Sequence, residues 1–406
     1  MQHNLKPTDE KDLAELILEA GRTQTPIEIV GGGSKRRAGR PVVAEAEIST
    51  RNLRGITLYE PAEMVISARA GTLLSIVEVE LAKHHQGLAF EPLDPSALVG
   101  EAGAQPTIGG VVATNISGPR RVIAGAARDH VLGLRAINGR GEAFKTGGRV
   151  MKNVAGYDLC RGLSGSWGTL AVLTEVTLKA VPLAEETRTL LLYDQPDEIA
   201  IEVLCGALGL PYEVSAGVHL HERLAGRMTT PEVSEPGRAV TALRLENFQA
   251  AVAYRIEKLK KLVSAYGELT ELGHMASLKF WSEVRGMRQF GGSNDPVWRI
   301  STSPKMGPRV VQAVSAYMQC HATYDWSGGL VLIEVPESAD AGAADIRRVV
   351  ATRGGHATLL RAAAEVRAAV DVFQPLEAGV ERLSRNIKAA FDPARILNRG
   401  RMYADA

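Results

Sequence analysis

Cysteine is scarce in this 406-residue chain, and that scarcity excludes whole classes of chemistry. Three cysteines, Cys160, Cys205 and Cys320, are an odd count and widely spaced. They fit a reducing compartment and cannot supply the four thiolates of an iron–sulfur cluster or a structural zinc. Excess charge of one sign is also missing. A net charge of +1 gives no general pull towards nucleic acid or an anionic membrane, and the basic runs at 35–37 and 258–261 read as solvated faces. No apolar run approaches the roughly 20 residues that span a bilayer. The opening MQHNLKPTDEKDL lacks the apolar core of a signal peptide. These absences lead us to expect a cytoplasmic protein that could touch a membrane only through a partner.

Glycine is the residue in excess, at 41, and much of it lies between Gly87 and Gly168. Interleaved Val, Ile, Ala and Leu argue for backbone folded tightly around something rather than disorder. The length allows two or three packed domains. Thr8 or Asp9 can cap a helix carrying Leu13, Leu16, Ile17 and Ala20, with Gly21 closing it. Residues 27–30 read as a buried strand. A strand at 64–69 and a helix at 73–85 follow, then a loop-rich stretch over 92–118 and strands at 131–138 and 170–178. Beyond Pro182 strands and helices alternate to residue 350, helices with antiparallel strands twice over, which predicts an α+β unit of ferredoxin-like type. A last helix places Val380, Leu383, Ile387 and Phe391 on one face. The expected division is 1–183, 184–375 and a tail, 376–406, that returns to the first part.

The strand at 27–30 runs into Gly31-Gly32-Gly33-Ser34-Lys35. Consecutive glycines there can expose several backbone N–H groups in a tight curve, a nest that suits phosphate. Alone, such a run is as often a plain turn. Neither GxxxxGK[ST] nor a GxGxxG opening a helix after a strand is present, which disfavours a P-loop NTPase and a Rossmann dehydrogenase.

Two further segments decide between nest and turn. One is Thr107-Ile108-Gly109-Gly110-Val111-Val112-Ala113-Thr114-Asn115. The other comprises Gly147-Gly148, Lys152, Gly156-Tyr157-Asp158-Leu159 and Gly165-Ser166-Trp167-Gly168-Thr169-Leu170. In this order they resemble the FAD domain of the vanillyl-alcohol-oxidase or p-cresol methylhydroxylase (PCMH) type, an α+β fold of two subdomains followed by a smaller cap. The resemblance implies that the first loop cradles the flavin pyrophosphate. It places FAD contacts at Gly31, Gly32, Gly33, Ser34, Lys35, Pro92, Thr107, Gly109, Gly110, Asn115, Gly118, Arg128, Asp129, Gly148, Lys152, Gly156, Tyr157, Gly165, Ser166, Gly168, Thr169 and Asn398.

More narrowly, Gly118-Pro119-Arg120-Arg121, Arg128-Asp129-His130-Val131-Leu132-Gly133, residues 150–159, Val297-Trp298-Arg299-Ile300-Ser301, Gly354-Gly355-His356-Ala357-Thr358 and the end from Asn398 resemble the FAD-binding E subunits of glycolate oxidases. That likeness implies a cytoplasmic complex with a second FAD-binding subunit and an iron–sulfur subunit, oxidising glycolate to glyoxylate. Covalent members of the superfamily often carry a histidine in or after the pyrophosphate loop. Here Ser34-Lys35-Arg36-Arg37 stands there, so the FAD is expected to be non-covalent.

Oxidation of a 2-hydroxy acid needs a cation for the carboxylate and a base for the hydroxyl proton. Arg299 is the candidate clamp, His356 the candidate base and Arg361 a second clamp. Each has a plainer alternative, an ion pair for an arginine and a structural role for a lone histidine. His219-Leu220-His221 could reach one metal from a strand, but related dehydrogenases space their histidines more widely, so no metal is expected. Two rivals stay open: a stand-alone flavin dehydrogenase for another hydroxy acid or alcohol, and an FAD-binding structural subunit without turnover.

Overall fold

The computed structural model describes residues 3–150 and 156–404. Helix α1 (Glu10–Thr23) begins where the Asp9 carboxylate accepts the Asp12 N–H, and it buries Leu13, Ile17 and Ala20. It runs past Gly21 and stops at Gln24 in the left-handed region. Strands β1 (His3–Leu5), β2 (Ile27–Val30) and β3 (Ala46–Ser49) form a parallel sheet in the order β1-β3-β2. Ile27 also bridges Leu397, so the far end of the chain extends this small sheet.

A five-stranded antiparallel sheet follows, built from β4 (Ile56–Glu60), β5 (Val65–Arg69), β6 (Val131–Asn138), β7 (Ala143–Gly147) and β8 (Ala171–Lys179). Its order is β4-β5-β8-β6-β7. Helices α2 (Leu74–Ala82) and α3 (Ile108–Thr114) pack their Leu, Val and Ile side chains into its core. The stretch expected as loop over 92–118 therefore contains a helix. Glycine disfavours helix by about 1 kcal/mol per residue. Here the Thr107 hydroxyl accepts the Gly110 N–H, and buried Ile108, Val111 and Val112 outweigh that cost.

The second half is one sheet of eight strands. In chain order it contains β9 (Glu186–Tyr193), α4 (Asp197–Leu208), β10 (Val214–Leu220), β11 (Val240–Asn247), α5 (Gln249–Val263), β12 (Leu269–Leu272) and α6 (His274–Arg285). It continues with β13 (Val297–Ser301), α7 (Gly307–Ser315), β14 (His321–Asp325), β15 (Leu330–Glu334), α8 (Ala343–Arg353) and β16 (His356–Arg361). The order β12-β9-β11-β10-β14-β15-β13-β16 is two ferredoxin-like βαββαβ units joined edge to edge, as the alternation of elements predicts. The seam is short, pairing His219 with Tyr324 and Leu220 with Thr323. Both faces are covered: Leu190 and Leu192 enter one core, and Leu191 and Tyr193 enter another. That two-sided burial explains why these strands read as nearly continuous apolar runs.

Helix α9 (Ala378–Phe391) closes the chain. Its Lys388 is buried and donates to the Thr169 carbonyl, the Asp392 carboxylate and the Leu397 carbonyl at 2.7, 2.8 and 3.0 Å. The apolar stripe lies outward instead, with Val380, Leu383 and Ile387 51%, 59% and 40% exposed.

Candidate functional site

A cleft with an internal volume of about 120 Å³ opens where β2, the glycine loop, the start of α3, the start of β8 and the C-terminal tail meet. The loop is shaped by contacts that only glycine permits. A Cβ on Gly32 would lie 1.7 Å from the Gln105 carbonyl oxygen, and one on Gly31 would lie 2.5 Å from the Thr107 hydroxyl. Gly33 turns the chain at φ 76°. Arg51 donates to the Gly31 and Gly32 carbonyls at 3.2 and 3.1 Å, engaging their acceptor side. The N–H groups of Gly32, Gly33, Ser34 and Lys35 make no hydrogen bond within the described residues, although the first three residues are buried. Buried donors without acceptors are costly, and several in succession along one loop beside the cleft suit an anionic phosphate.

Of the cations beside the loop, Arg36 is already held by Glu28 and Glu47, both at 2.7 Å. Lys35 is different. Among the described residues its ammonium donates only to the Ser34 hydroxyl, at 3.3 Å. Desolvation pushes its pKa down to about 8, against the opposing pull of Asp94. Below that value the ammonium is charged, above it neutral, and a bound anion raises the pKa. FAD affinity is therefore expected to be flat below about pH 7 and to fall as pH rises through 8. Lys35→Met should bind more weakly and lose this dependence. Titrating apoprotein with FAD by fluorescence quenching across that range measures both; a parallel pH profile in the variant would exclude Lys35.

The cleft gathers Gly31, Gly32, Gly33, Ser34, Lys35, Thr107, Gly109, Gly110, Gly168 and Asn398 from the residues expected at FAD. Asn398 serves as a clasp. It accepts the Ile29 N–H at 2.8 Å and donates to the Trp167 carbonyl at 2.7 Å. Asn115, Gly165, Ser166 and Thr169 stand just behind this lining: Gly165 donates to Val112, and the Thr169 hydroxyl to the Ser166 carbonyl. Pro92 and Gly118 lie further along, on the segment where Pro92 bridges Ser117. Arg128 and Asp129 form their own short turn, Gly148 follows β7, and Gly156 and Tyr157 are exposed, Tyr157 by 90%. The structure does not gather these five around the cleft. Lys152 lies outside the described residues.

A second cluster forms where the two halves meet, across an apolar layer that includes Trp167 and Trp326. The Arg299 guanidinium sits 5.2 Å from the Trp326 ring centroid and makes no hydrogen bond or ion pair with the described residues. Its residue is only half-buried by area. The chain is nevertheless close enough that desolvation, with like charge from Arg121, lowers its pKa to about 10. His356 is open to solvent and pairs with Ser301 in the adjoining strand. Desolvation and then Arg299 and Arg121 lower its pKa, keeping the ring neutral near pH 7. Arg361, expected as a second clamp, needs correction. It donates to the carbonyls of Asp295 and Phe290 and to Glu334 at 2.7, 2.8 and 3.2 Å, so its fork is already filled.

Sequence reasoning missed three members of this cluster. Arg121 stands 4.7 Å from the centroid of the same Trp326 ring. Asp325 is buried and accepts the Trp326 N–H at 2.6 Å, with burial pushing its carboxyl up to about 7. Trp326 itself donates to the Gly118 carbonyl across the junction, at 3.1 Å. The only available signal for Arg121 was its place in Gly118-Pro119-Arg120-Arg121. Nothing local marked Asp325 or Trp326.

The junction is also pinned by a buried ion pair. Arg244 on β11 grips Glu91 bidentately at 2.8 and 3.0 Å and covers Trp281 at 4.5 Å. His219 and His221 part ways. His219 is buried against Thr241 at 2.9 Å, while His221 caps a short helix and meets the His321 ring at 5.0 Å. Among the described residues no group of three or more His, Cys, Asp and Glu could hold a metal ion, and no helix is long and apolar enough to cross a membrane.

The profile of the FAD binding domain family matches residues 2–147. Glycolate oxidase subunit GlcE of Escherichia coli (strain K12) is 33% identical over 394 residues, covering 97% of each chain. D-lactate dehydrogenase of Archaeoglobus fulgidus is 26% identical over 292 residues, 70% of this chain and 62% of that one. Among solved structures, p-cresol methylhydroxylase with substrate bound superposes with a TM-score of 0.71 at 13% identity, covering 99% of this chain and 88% of the other.

Proposed function

This chain belongs to the GlcE family of glycolate oxidase subunits and is an FAD-dependent oxidoreductase of 2-hydroxy acids, and from that premise we propose that its substrate is glycolate, with D-lactate as the alternative, oxidised to the 2-oxo acid within a multi-subunit complex. FAD, when bound, supplies the acceptor for the hydride leaving the carbinol carbon. The chain's own residues do the rest. Gly32, Gly33, Ser34 and Lys35 would hold the pyrophosphate without a covalent link, and Asn398 would fix the cleft wall. Arg299 binds the substrate carboxylate, and neutral His356 takes the hydroxyl proton. Residues 1–183 carry the cofactor, 184–375 the substrate groups, and 376–406 return to complete the first part.

One observation carries this reading: among the described residues the Arg299 guanidinium has no acceptor, and it stands beside the junction, where an anion is its natural partner. With three free cysteines, one buried and two half-buried, the chain has too few thiolates for a cluster of its own. Electrons are therefore proposed to leave for a second flavoprotein subunit and an iron–sulfur subunit. The purified flavin-loaded chain should lose its visible flavin absorbance when mixed anaerobically with glycolate. Arg299→Met should raise KM by about 10- to 100-fold, the worth of one charge-assisted carboxylate contact, at unchanged FAD content. Unchanged kinetics in that variant would remove Arg299 from the site, and turnover only within the complex would assign the chemistry to the assembly.

A further inference from the structure

Arg121 and Arg299 come from opposite halves of the chain yet stand over one indole, at 4.7 and 5.2 Å from the Trp326 centroid. Burial lowers the basicity of both guanidiniums, with like charge from Arg128 adding to it at Arg121 and like charge from Arg121 adding to it at Arg299. Ordinarily such a pair is quenched by carboxylates. Here neither has one within ion-pair distance among the described residues. Among the described residues the Arg121 guanidinium donates only to the Ser117 hydroxyl, at 3.2 Å, and the Arg299 guanidinium makes no hydrogen bond. The other charged or titratable groups felt by the pair are Asp325, Arg128, Asp129 and His356. Asp325 is the one buried acid among them. With it ionised the cluster carries one uncompensated positive charge.

We propose that Arg121 and Arg299 together form the carboxylate subsite, Arg121 supplied by the N-terminal half and Arg299 by the eight-stranded sheet, and that the subsite selects monocarboxylates over dicarboxylates. The inference rests on the functional reading above and adds to it a second positioning residue and a basis for choosing substrates. Trp326 serves as the shared platform: cation–π contact holds both guanidiniums by their faces, and beyond the one bond from Arg121 to Ser117 their N–H groups remain for a ligand. A single carboxylate then bridges two donors that no hydrogen bond within either half brings together.

The test uses the flavin-loaded full chain and oxamate, a monocarboxylate that cannot be oxidised, followed by perturbation of the flavin spectrum. Oxamate should bind the unaltered chain more tightly than the dicarboxylate oxalate. Arg121→Met and Arg299→Met should each weaken oxamate by about 10- to 100-fold, with FAD content and melting temperature unchanged. In the double variant the losses should be less than multiplicative, because the arginines share one ligand. If Arg121→Met sheds flavin, Arg121→Lys carries the test: it keeps the charge but loses the planar fork, and oxamate should weaken by several-fold. Unchanged oxamate affinity in Arg121→Met, with the loss confined to Arg299→Met, overturns the two-arginine subsite and leaves Arg299 standing alone. Oxamate affinity unchanged in both variants overturns the substrate reading itself, and tighter binding of oxalate than oxamate overturns the monocarboxylate selectivity.

Discussion

Gly32→Ala is expected to yield a folded chain that binds FAD at least a hundredfold more weakly. The added methyl would sit 1.7 Å from the Gln105 carbonyl oxygen, a backbone atom flanked by the loop that leads into α3. Neither partner can rotate away, so the segment at 31–35 must move and its N–H groups must lose their convergence. Two lost bonds to a charged phosphate, at about 1.5 kcal/mol each, already amount to about 3 kcal/mol, or roughly a hundredfold. Gly31→Ala is the internal control. Its methyl would meet the Thr107 hydroxyl at 2.5 Å, a side-chain atom that can turn aside at the expense of the α3 cap. Its loss should be clearly smaller. Flavin-to-protein absorbance ratios after reconstitution, with a melting curve for each apoprotein, separate a damaged cradle from a damaged fold. Equal flavin content in Gly32→Ala and the unaltered chain would show that the loop is not the phosphate site.

The second large effect concerns stability. Arg244→Met should destabilise the protein by roughly 3–5 kcal/mol, the usual consequence of removing one partner from a buried ion pair. Glu91 would keep its charge in a site where burial opposes ionisation and Arg244 supplies most of the compensation. The methionine also forfeits the stack over Trp281. Glu91→Gln combined with Arg244→Met should recover part of the loss, because no orphaned carboxylate remains. Denaturant unfolding of the single and double variants gives the coupling energy. Additive losses would mean that the pair, despite its bidentate geometry, does not hold the two halves together.

How much of this was visible in the chain depends on how local each feature is. The loop at 31–35 was legible only through the segments at 107–115 and 147–170, since three glycines after a strand fit a plain turn as well, and the second half was legible because its helices and strands alternate at their own periods. Helix α3 was hidden by glycines that mimic a loop; its cap at Thr107 was the counter-signal. Arg299 and Arg361 look equally promising as arginines on apolar strands. They differ through the Asp295 and Phe290 carbonyls and through Glu334, two strands away on β15, which engage Arg361 and not Arg299. Register across strands decides that, and a single sequence does not display it. Arg121, Asp325 and Trp326 were beyond reach for the same reason on a larger scale, since they become neighbours only when two separate sheets meet.

The clasp made by the tail has a consequence for how the molecule comes into being. Ile27 donates to the Ile396 carbonyl at 2.7 Å and accepts from Asn398 at 2.9 Å, and Asn398 reaches a partner 369 positions earlier. The edge of strand β2 is therefore covered only once residues 396–398 are in place, and contacts this distant in sequence form late and slowly. A chain that stops before residue 396 keeps the glycine loop but lacks the wall that Asn398 lends the cleft.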